Sequence, residues 1–338
     1  MNIRLLLLLS LLLATRITAP AAAQSTDSPP RQRRPDPENA HDPSTILIEE
    51  DVARLVCTGW GLQVKREDKQ GRWLTEASIF SRDKLPEWHQ QLVPDNRGHL
   101  WAPDVIQLNN RLLVYYSVSS FGKNTSAIGL VEGRTLNSES DQWEWTDRGP
   151  VIRSVASDRF NAIDPAVFAA ADGRLWMTFG SFWDGLQLVE LDPASGLLKT
   201  ESPTPVRLAW QQEIEAPFLT HRDGWYYLFL NHGKCCRGVE STYEIVVGRS
   251  RSITGPYLDA DSRELLQAGG RSVLKSHERW IGPGHASLLH RDGREWLVHH
   301  YYDREQQGRS RVRLVELYWT EEGWPETRLP DSPQKPDE

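Results

Sequence analysis

The chain has 338 residues and a formal net charge of −7, enough for one large domain or two ordinary ones. An acidic balance without a Lys/Arg stripe excludes an electrostatic nucleic-acid binder. Fourteen Trp and nine Tyr against two Met can build a broad core and still leave aromatic faces for a ligand.

The first element in chain order is a leader. Arg4, the Leu-rich run from Leu5 to Ala14 and the small residues ending in Ala21-Ala22-Ala23 make residues 1–23 a secretory signal pattern. The run is too short to span a bilayer well, so an exported protein, periplasmic or extracellular, with no membrane tie after cleavage is expected, an uncleaved anchor being the alternative. Cleavage removes Arg4 and Arg16 and no acid, leaving a charge of about −9. Residues 24–38 read as a flexible Pro-rich leader and 327–338 as a polar tail.

Between them, over 39–326, one pattern recurs five times. It begins at Ala40 (AHDPSTILIEEDVARLVC), Leu100 (LWAPDVIQLNNRLLVYYSVS), Asn161 (NAIDPAVFAAADGRLWMTF), Glu213 (EIEAPFLTHRDGWYYLFLNH) and Ile281 (IGPGHASLLHRDGREWLVHHYYD). Each copy sets a proline beside a polar residue, then a short apolar strand, a polar turn and a second apolar strand. The turns EED, LNN, ADG, RDG and RDG have hairpin chemistry. LQVKRE, SAIGLVEG, LQLVEL, YEIVVGRS and SRVRLVELYW read as third strands. WHQQLVP, WEWTDRGPVI, PVRLAW and ELLQAGG read as fourths. Beyond LQVKRE and WHQQLVP the stretch from Thr58 to Asn96 holds no motif that can be placed, and no strand at the start of the chain visibly completes the last unit.

The marker residues Asp42, Asp104, Asp164, Glu215 and His285 lie 51 to 70 residues apart. That period is too long for a solenoid and suits a propeller blade. The expected fold is all-β, a single-domain five-bladed β-propeller. A β-sandwich would leave the recurring Pro-polar openings unexplained. In a propeller the innermost strands open around one end of a central channel, so their first residues become neighbours.

Asp42, Asp164 and Glu215 would then share one pocket. Clustered carboxylates raise one another's pKa, an arrangement suited to cleaving a glycosidic bond with one protonated and one ionised acid. Calcium binding is the competing use of such a cluster. A nearby ionised carboxylate favours the protonated form of its neighbour. Of the three cysteines, Cys57 reads as a small buried hydrophobe, while the adjacent Cys235 and Cys236 leave a vicinal disulfide open. No Cys/His set has zinc spacing.

The motifs HDPS, LWAPDV, YYSVSSFGKNTSAIGL, NAIDPAV, GSFWDG, EAPF, CCRGVESTYEIVVGRS, ITGPY, GPGH and HHYYD, in order from about residue 40 to residue 303, resemble those of the endo-α-1,5-L-arabinanases of glycoside hydrolase family 43. The resemblance implies a five-bladed propeller that hydrolyses arabinan with inversion. It implies Asp42 as general base, Asp164 as the residue that tunes the acid and holds the sugar, and Glu215 as general acid. It implies His285 beside a central calcium or other ion, Trp101 and Phe121 stacked on arabinose rings, and Asn161 and Ser181 at the sugar beside the acid. Phe182 and Trp183 add aromatic surface at the same rim. This chain departs from the pattern at Ala286, where an amide is expected. The implied partner is arabinan or its oligosaccharides, with no organic cofactor and a monomeric chain. Exo-acting arabinanase, arabinofuranosidase or xylosidase activity on the same fold is the alternative, and a non-catalytic sugar-binding propeller is the alternative outside enzymes.

Overall fold

Five antiparallel sheets follow one another along the chain in a computed structural model that describes residues 36–329. The expected signal segment, nearly all of the leader and the end of the tail lie outside these residues. The first sheet holds β1 (Leu47–Glu49), β2 (Val52–Cys57), β4 (Gln63–Glu67) and β5 (Trp73–Ser78). The second holds β6 (His99–Leu108), β7 (Arg111–Val118), β8 (Ser126–Gly133) and β9 (Thr146–Ser154), with the short β3 (Gly59–Trp60) added beside β6. The third holds β10 (Ala166–Ala169), β11 (Leu175–Phe179), β12 (Leu186–Leu191) and β13 (Val206–Ala209). The fourth holds β14 (Ile214–Arg222), β15 (Trp225–His232), β16 (Glu244–Ser250) and β17 (Arg271–Leu274). The fifth holds β18 (Trp280–Arg291), β19 (Arg294–Asp303), β20 (Arg309–Trp319) and β21 (Pro325–Arg328).

The inner hairpins form where the sequence supplies residues that tolerate positive φ. Glu50-Asp51, Asn109-Asn110, Asp223-Gly224 and Asp292-Gly293 all adopt it, as two-residue hairpin turns require. Each sheet then buries one face against the next. Val56 and Val64 of the first pack with Val105 and Tyr116 of the second. Tyr115 meets Val167 and Met177 of the third. Trp176 and Leu188 meet Leu219 and Leu228 of the fourth. Phe229 and Val247 meet Leu297 and Val315 of the fifth. Val298 and Leu289 return to Leu55 and Ile46 of the first. The five interfaces close a ring, so the architecture is a five-bladed β-propeller.

Among the described residues no strand crosses from the first blade into the last. The ring is latched by the segment before β1. Ala40 N–H donates to the Ser310 carbonyl (3.2 Å), and Ser310 Oγ bonds the Ala40 carbonyl in return. Arg291 pairs with Glu67 at 2.6 Å, and Ser287 Oγ donates to the Ser44 carbonyl at 3.3 Å. The fully buried Lys65 holds the latch from inside, donating to the carbonyls of Pro37 (3.0 Å) and Asn39 (2.6 Å) and to Thr75 Oγ1 (2.6 Å). Opposite the channel mouth's chemistry, Arg251, Trp225, Arg249, Trp324 and Arg271 stack alternately, with guanidinium-to-ring distances from 3.7 to 5.6 Å, and tie the fourth blade to the fifth.

Two sequence expectations are corrected here. WHQQLVP is not a strand: His89–Leu92 is a helical turn, and the outer strand of the first blade is β5, inside the stretch that held no placeable motif. ELLQAGG contains the 3-10 turn Leu265–Gln267, ended by Ala268 at positive φ, and the strand begins after it, at Arg271. The last strand spans Pro325–Arg328.

Candidate active site

The same local distortion opens every innermost strand. Asp42, Ala102, Asp164, Ala216 and His285 all have positive φ, between 39° and 57°. The ladder register slips around three of them, between Trp101 and Asp104, Glu215 and Phe218, and Gly284 and Ser287. These are bulges, which bend a strand and re-aim its side chains. Four of the five residues precede proline. Each costs of order 1–3 kcal/mol and persists where the surroundings enforce it.

The enforcement repeats with the blades. The N–H freed at each bulge is accepted by a side chain from the end of the preceding blade's second strand. Ala102 N–H donates to Thr58 Oγ1 (2.7 Å), Asp164 N–H to Ser117 Oγ (2.9 Å), His285 N–H to Asn231 Oδ1 (2.9 Å) and Asp42 N–H to His300 Nδ1 (3.2 Å). At the remaining junction the equivalent residue is Gly180, which bonds the Ile163 carbonyl as Thr58 bonds that of His41. A Cβ there would lie 2.5 Å from the Gly185 carbonyl oxygen, so no side chain can serve. Asp164 takes its place: its Oδ2 accepts the Ala216 N–H at 3.1 Å. Asp164 therefore grips the backbone beside Glu215.

This register separates the marker residues. Asp42, Asp164 and His285 occupy the bulge position and Glu215 the position just before it. Asp104 lies two residues beyond the bulge at Ala102, and its role is corrected: buried, it accepts the N–H groups of Thr45 (3.0 Å) and Val167 (2.8 Å) and stitches three blades together.

Asp42 sits among imidazoles. Its Oδ1 lies 2.7 Å from His41 Nδ1, 3.6 Å from His285 Nδ1 and 3.5 Å from His300 Nδ1, and its Oδ2 accepts from Thr58 Oγ1 at 2.6 Å. Burial alone would raise this carboxyl, but His41 first, then His285 and His300, hold it far below the usual range. In return Asp42, with Tyr302, outweighs burial and lifts His41 well above its ordinary value. His41 stacks on His300, ring centroids 3.9 Å apart, and its Nε2 lies 2.6 Å from Tyr302 Oη. Burial pushes His285 and His300 down, so the arrangement reads as one imidazolium–carboxylate pair flanked by two neutral rings.

Glu215 has the opposite surroundings. Ser181 Oγ donates to its Oε2 at 2.8 Å, and the Tyr243 hydroxyl bonds its Oε1. Burial is the largest cause that pushes Glu215 up to about 7; the Ser181 bond opposes it, while the charges of Asp42 and Cys236 add to it. Burial, then Glu215 and Asp42, also push Asp164 well above the ordinary carboxyl range. Glu215 is itself a cause of the Asp164 rise, so the two carboxyls are linked in one titration. Both groups are buried and compete for a proton, and the fixed negative charge is Asp42.

These shifts predict a pH-dependent stability. The unfolded chain releases the Glu215 proton near its ordinary 4.5, while the folded chain holds it up to about 7. The fold binds more protons across that window, so this group's contribution falls as pH rises, by about 3 kcal/mol once pH exceeds 7. Glu215→Gln should therefore raise the melting temperature at pH 8 relative to the native chain far more than at pH 4.5. An equal offset at both values would show that Glu215 does not titrate between them.

The remaining sequence-derived residues divide into rim and interior. Phe121 is 79% exposed, in the loop between β7 and β8, and Trp183 is 41% exposed. Trp101 is half-buried and its Nε1 donates to His99 Nδ1 at 3.0 Å. Phe182, also half-buried, has its N–H bonded to the Ile214 carbonyl at 2.7 Å, which ties this loop to the strand of Glu215. Asn161 is buried and its Oδ1 accepts from Ser126 Oγ at 2.7 Å; Ser181 is buried against Glu215. Trp101→Ala and Phe121→Ala should weaken binding of the oligosaccharides that the sequence resemblance implies, with little change in melting temperature. Early melting with unchanged binding in the folded fraction would make either ring a packing residue.

Sequence reasoning gave no role to His41, His300, Tyr302 and Tyr243, although all lie within quoted motifs. The signal available was their place: His41 before the first strand, Tyr243 just before a third strand and His300 and Tyr302 at the end of a second strand.

Among the described residues His41, Asp42 and His300 bring one donor each within 4.8 Å of one another. Two imidazoles and a carboxylate suit a transition ion better than calcium, which takes six to eight oxygens. The acid within ion-pair distance of His285 is again Asp42, both of whose oxygens are already engaged. Calcium does not fit this donor set, and no step below runs through an ion.

The family model of glycosyl hydrolases family 43 matches residues 37–325. An extracellular exo-α-(1→5)-L-arabinofuranosidase of Cellvibrio japonicus is 40% identical over 301 residues, 85% of this chain and 86% of its own. An extracellular endo-α-(1→5)-L-arabinanase of Bacillus subtilis is 38% identical over 296 residues, 85% of this chain and 87% of its own. Among solved structures, the Cellvibrio cellulosa α-L-arabinanase complexed with arabinohexaose superposes with a TM-score of 0.80 at 38% identity, covering 86% of this chain and 95% of that one.

Proposed function

The chain belongs to glycosyl hydrolase family 43, and from that premise we propose that this glycoside hydrolase cleaves internal α-1,5-L-arabinofuranosidic bonds of arabinan with inversion, Asp42 acting as base and Glu215 as acid. The observation that carries the reading is the split between two carboxyls in one mouth: Asp42 held ionised by His41, Glu215 pushed up to about 7. One acid that has lost its proton beside one that keeps it is what single-step glycoside hydrolysis requires.

In the reaction Asp42 accepts a proton from a water that attacks the anomeric carbon opposite the leaving group. The bond to the leaving oxygen breaks as Glu215 gives that oxygen its proton. Asp164 acts through the Ala216 N–H and through competition for the proton, fixing where Glu215 points and when it is charged. Tyr243 and Ser181 hold the two Glu215 oxygens. The exposed rings of Phe121 and Trp183 offer flat faces to sugars at the rim. Relatives named extracellular support export of this chain as well.

The relatives include both exo- and endo-acting enzymes, so product analysis is the test. Linear arabinan should yield a ladder of oligosaccharides, whereas a single short product would establish exo action and no product would leave a sugar-binding propeller. The first-formed anomer, read by NMR, should be inverted, which corresponds to Asp42 and Glu215 carboxyls roughly 6.5–9.5 Å apart. A retained anomer would remove Asp42 from the role of base.

A further inference from the structure

The loop between β15 and β16 crosses from the fourth blade to the fifth at the channel mouth. Cys236 N–H donates to Tyr302 Oη at 2.7 Å, and a Cβ on Gly308 would lie only 3.0 Å from Gly238 Cα. The loop carries two free thiols side by side, with Cys235 Sγ and Cys236 Sγ 2.7 Å apart. They stand near both halves of the catalytic apparatus: Cys235 feels the charge of Glu215, and the Tyr302 hydroxyl that accepts the Cys236 N–H lies 2.6 Å from Nε2 of His41, the partner of Asp42. Cys236 is exposed and Cys235 half-buried, so a small reagent can reach the pair. Cys57, by contrast, is fully buried, and its thiol is pushed up to about 12.

We propose that Cys235 and Cys236 are an oxidation site built into the channel mouth, at which a low-molecular-weight disulfide converts the dithiol to a vicinal disulfide and switches off the adjoining acid and base. The proposal rests on the assignment of Glu215 and Asp42 above. A disulfide needs about 2.05 Å between sulfurs, so closing the pair calls for a local movement and not for refolding of the loop. Consecutive Cα atoms are about 3.8 Å apart, below the usual 4.4–6.8 Å of a disulfide. The bond is therefore strained, and strained, exposed disulfides are the easily reduced ones.

The exchange balances without any other reagent. Cys236, whose thiol is pushed down to about 5 chiefly by its hydrogen bond with Cys235, with burial opposing and His41 assisting, attacks one sulfur of the small disulfide. That sulfur–sulfur bond breaks, and one small thiol leaves with a proton. Cys235 then attacks the Cys236 sulfur of the mixed disulfide, and its proton goes to the second departing thiol. The pair has lost two electrons and two protons, and the small disulfide has become two thiols. The oxidised pair carries no thiolate charge near His41, and closing it moves the loop whose Cys236 N–H bonds the Tyr302 hydroxyl on His41 Nε2.

The test uses the full chain, first reduced, then equilibrated in buffers of graded oxidised to reduced glutathione. The peptide carrying Cys235 and Cys236 is weighed, and arabinan hydrolysis is measured on the same samples. The expected result is a species lighter by two hydrogens whose growth parallels at least a tenfold loss of rate, both reversed by dithiothreitol. Cys236→Ser should show neither the mass loss nor any dependence of its remaining rate on the buffer. Accumulation of stable glutathione adducts without the two-hydrogen loss would overturn the proposal, as would a fully oxidised pair with an unchanged rate. A reduced chain that cleaves no arabinan would sink the substrate reading instead, and the mass would still decide whether the pair closes.

Discussion

Glu215→Gln should lose arabinan hydrolysis by roughly 10²–10⁴-fold while keeping most of its rate on an aryl arabinoside. The contrast follows from what leaves. Arabinan departs as a sugar alkoxide, which needs a proton as the bond breaks, whereas a phenolate with an acidic parent departs unaided. The isosteric amide can retain the contacts to Ser181 and Tyr243, so the site keeps its shape and loses only the proton. The alkaline limb carries the same information. In the native chain kcat/KM should fall as pH rises through about 7, because the acid's proton is lost there. The variant, measured on the aryl substrate, should lack that limb. Equal losses on both substrates, or a limb that survives the substitution, would show that Glu215 is not the proton donor.

How much of this site the sequence displayed depended on whether a residue's type was forced by its backbone. The hairpin turns were legible because positive φ at two consecutive residues demands Asn, Asp or Gly, and LNN and RDG supply them. The bulges were not legible as bulges. Ala102, Ala216 and His285 carry the same positive φ without a permissive side chain, held by acceptors on the preceding blade. A reading that aligned acids beside prolines therefore took Asp104 for a member of the ring and missed that Glu215 stands one residue before its bulge. Two fourth strands failed for a related reason. ELLQAGG is apolar enough for a strand, but Ala268 at positive φ ends a tight turn there, and apolarity does not distinguish the two.

The three acids were found because the blade period put them at one mouth, yet their division of labour was only half visible. Asp42 is held ionised chiefly by His41, and the Tyr302 hydroxyl that bonds His41 lies 261 residues away in the chain. The latch that closes the ring brings them together: His41 and Asp42 precede the first strand, and His300 and Tyr302 end the second strand of the last blade. Ring closure and base ionisation are thus one structural event.

Asp42→Asn should abolish hydrolysis of both arabinan and the aryl arabinoside, since water needs a base whatever leaves. The loss should again be roughly 10²–10⁴-fold, with the acid intact. Azide separates this role from a structural one, because it is already an anion and needs no deprotonation. It should restore turnover of the aryl substrate in the Asn variant and give an arabinosyl azide of inverted configuration. His41 provides the complementary check. Its imidazolium is the largest influence that holds Asp42 low against burial, so His41→Gln should let the Asp42 pKa climb towards and past the ordinary carboxyl value. A base works only above its own pKa, so the acid limb of kcat/KM, which lies below the accessible range in the native chain, should move up into it. The same pair contributes stability above the ordinary Asp pKa of 3.8 that is lost as pH falls, and His41→Gln should remove that contribution at pH 7 and leave little difference at the acid extreme. An acid limb that stays where it was in the His41 variant, or an Asn variant that azide cannot restore, would show that Asp42 serves the ring closure and not the water.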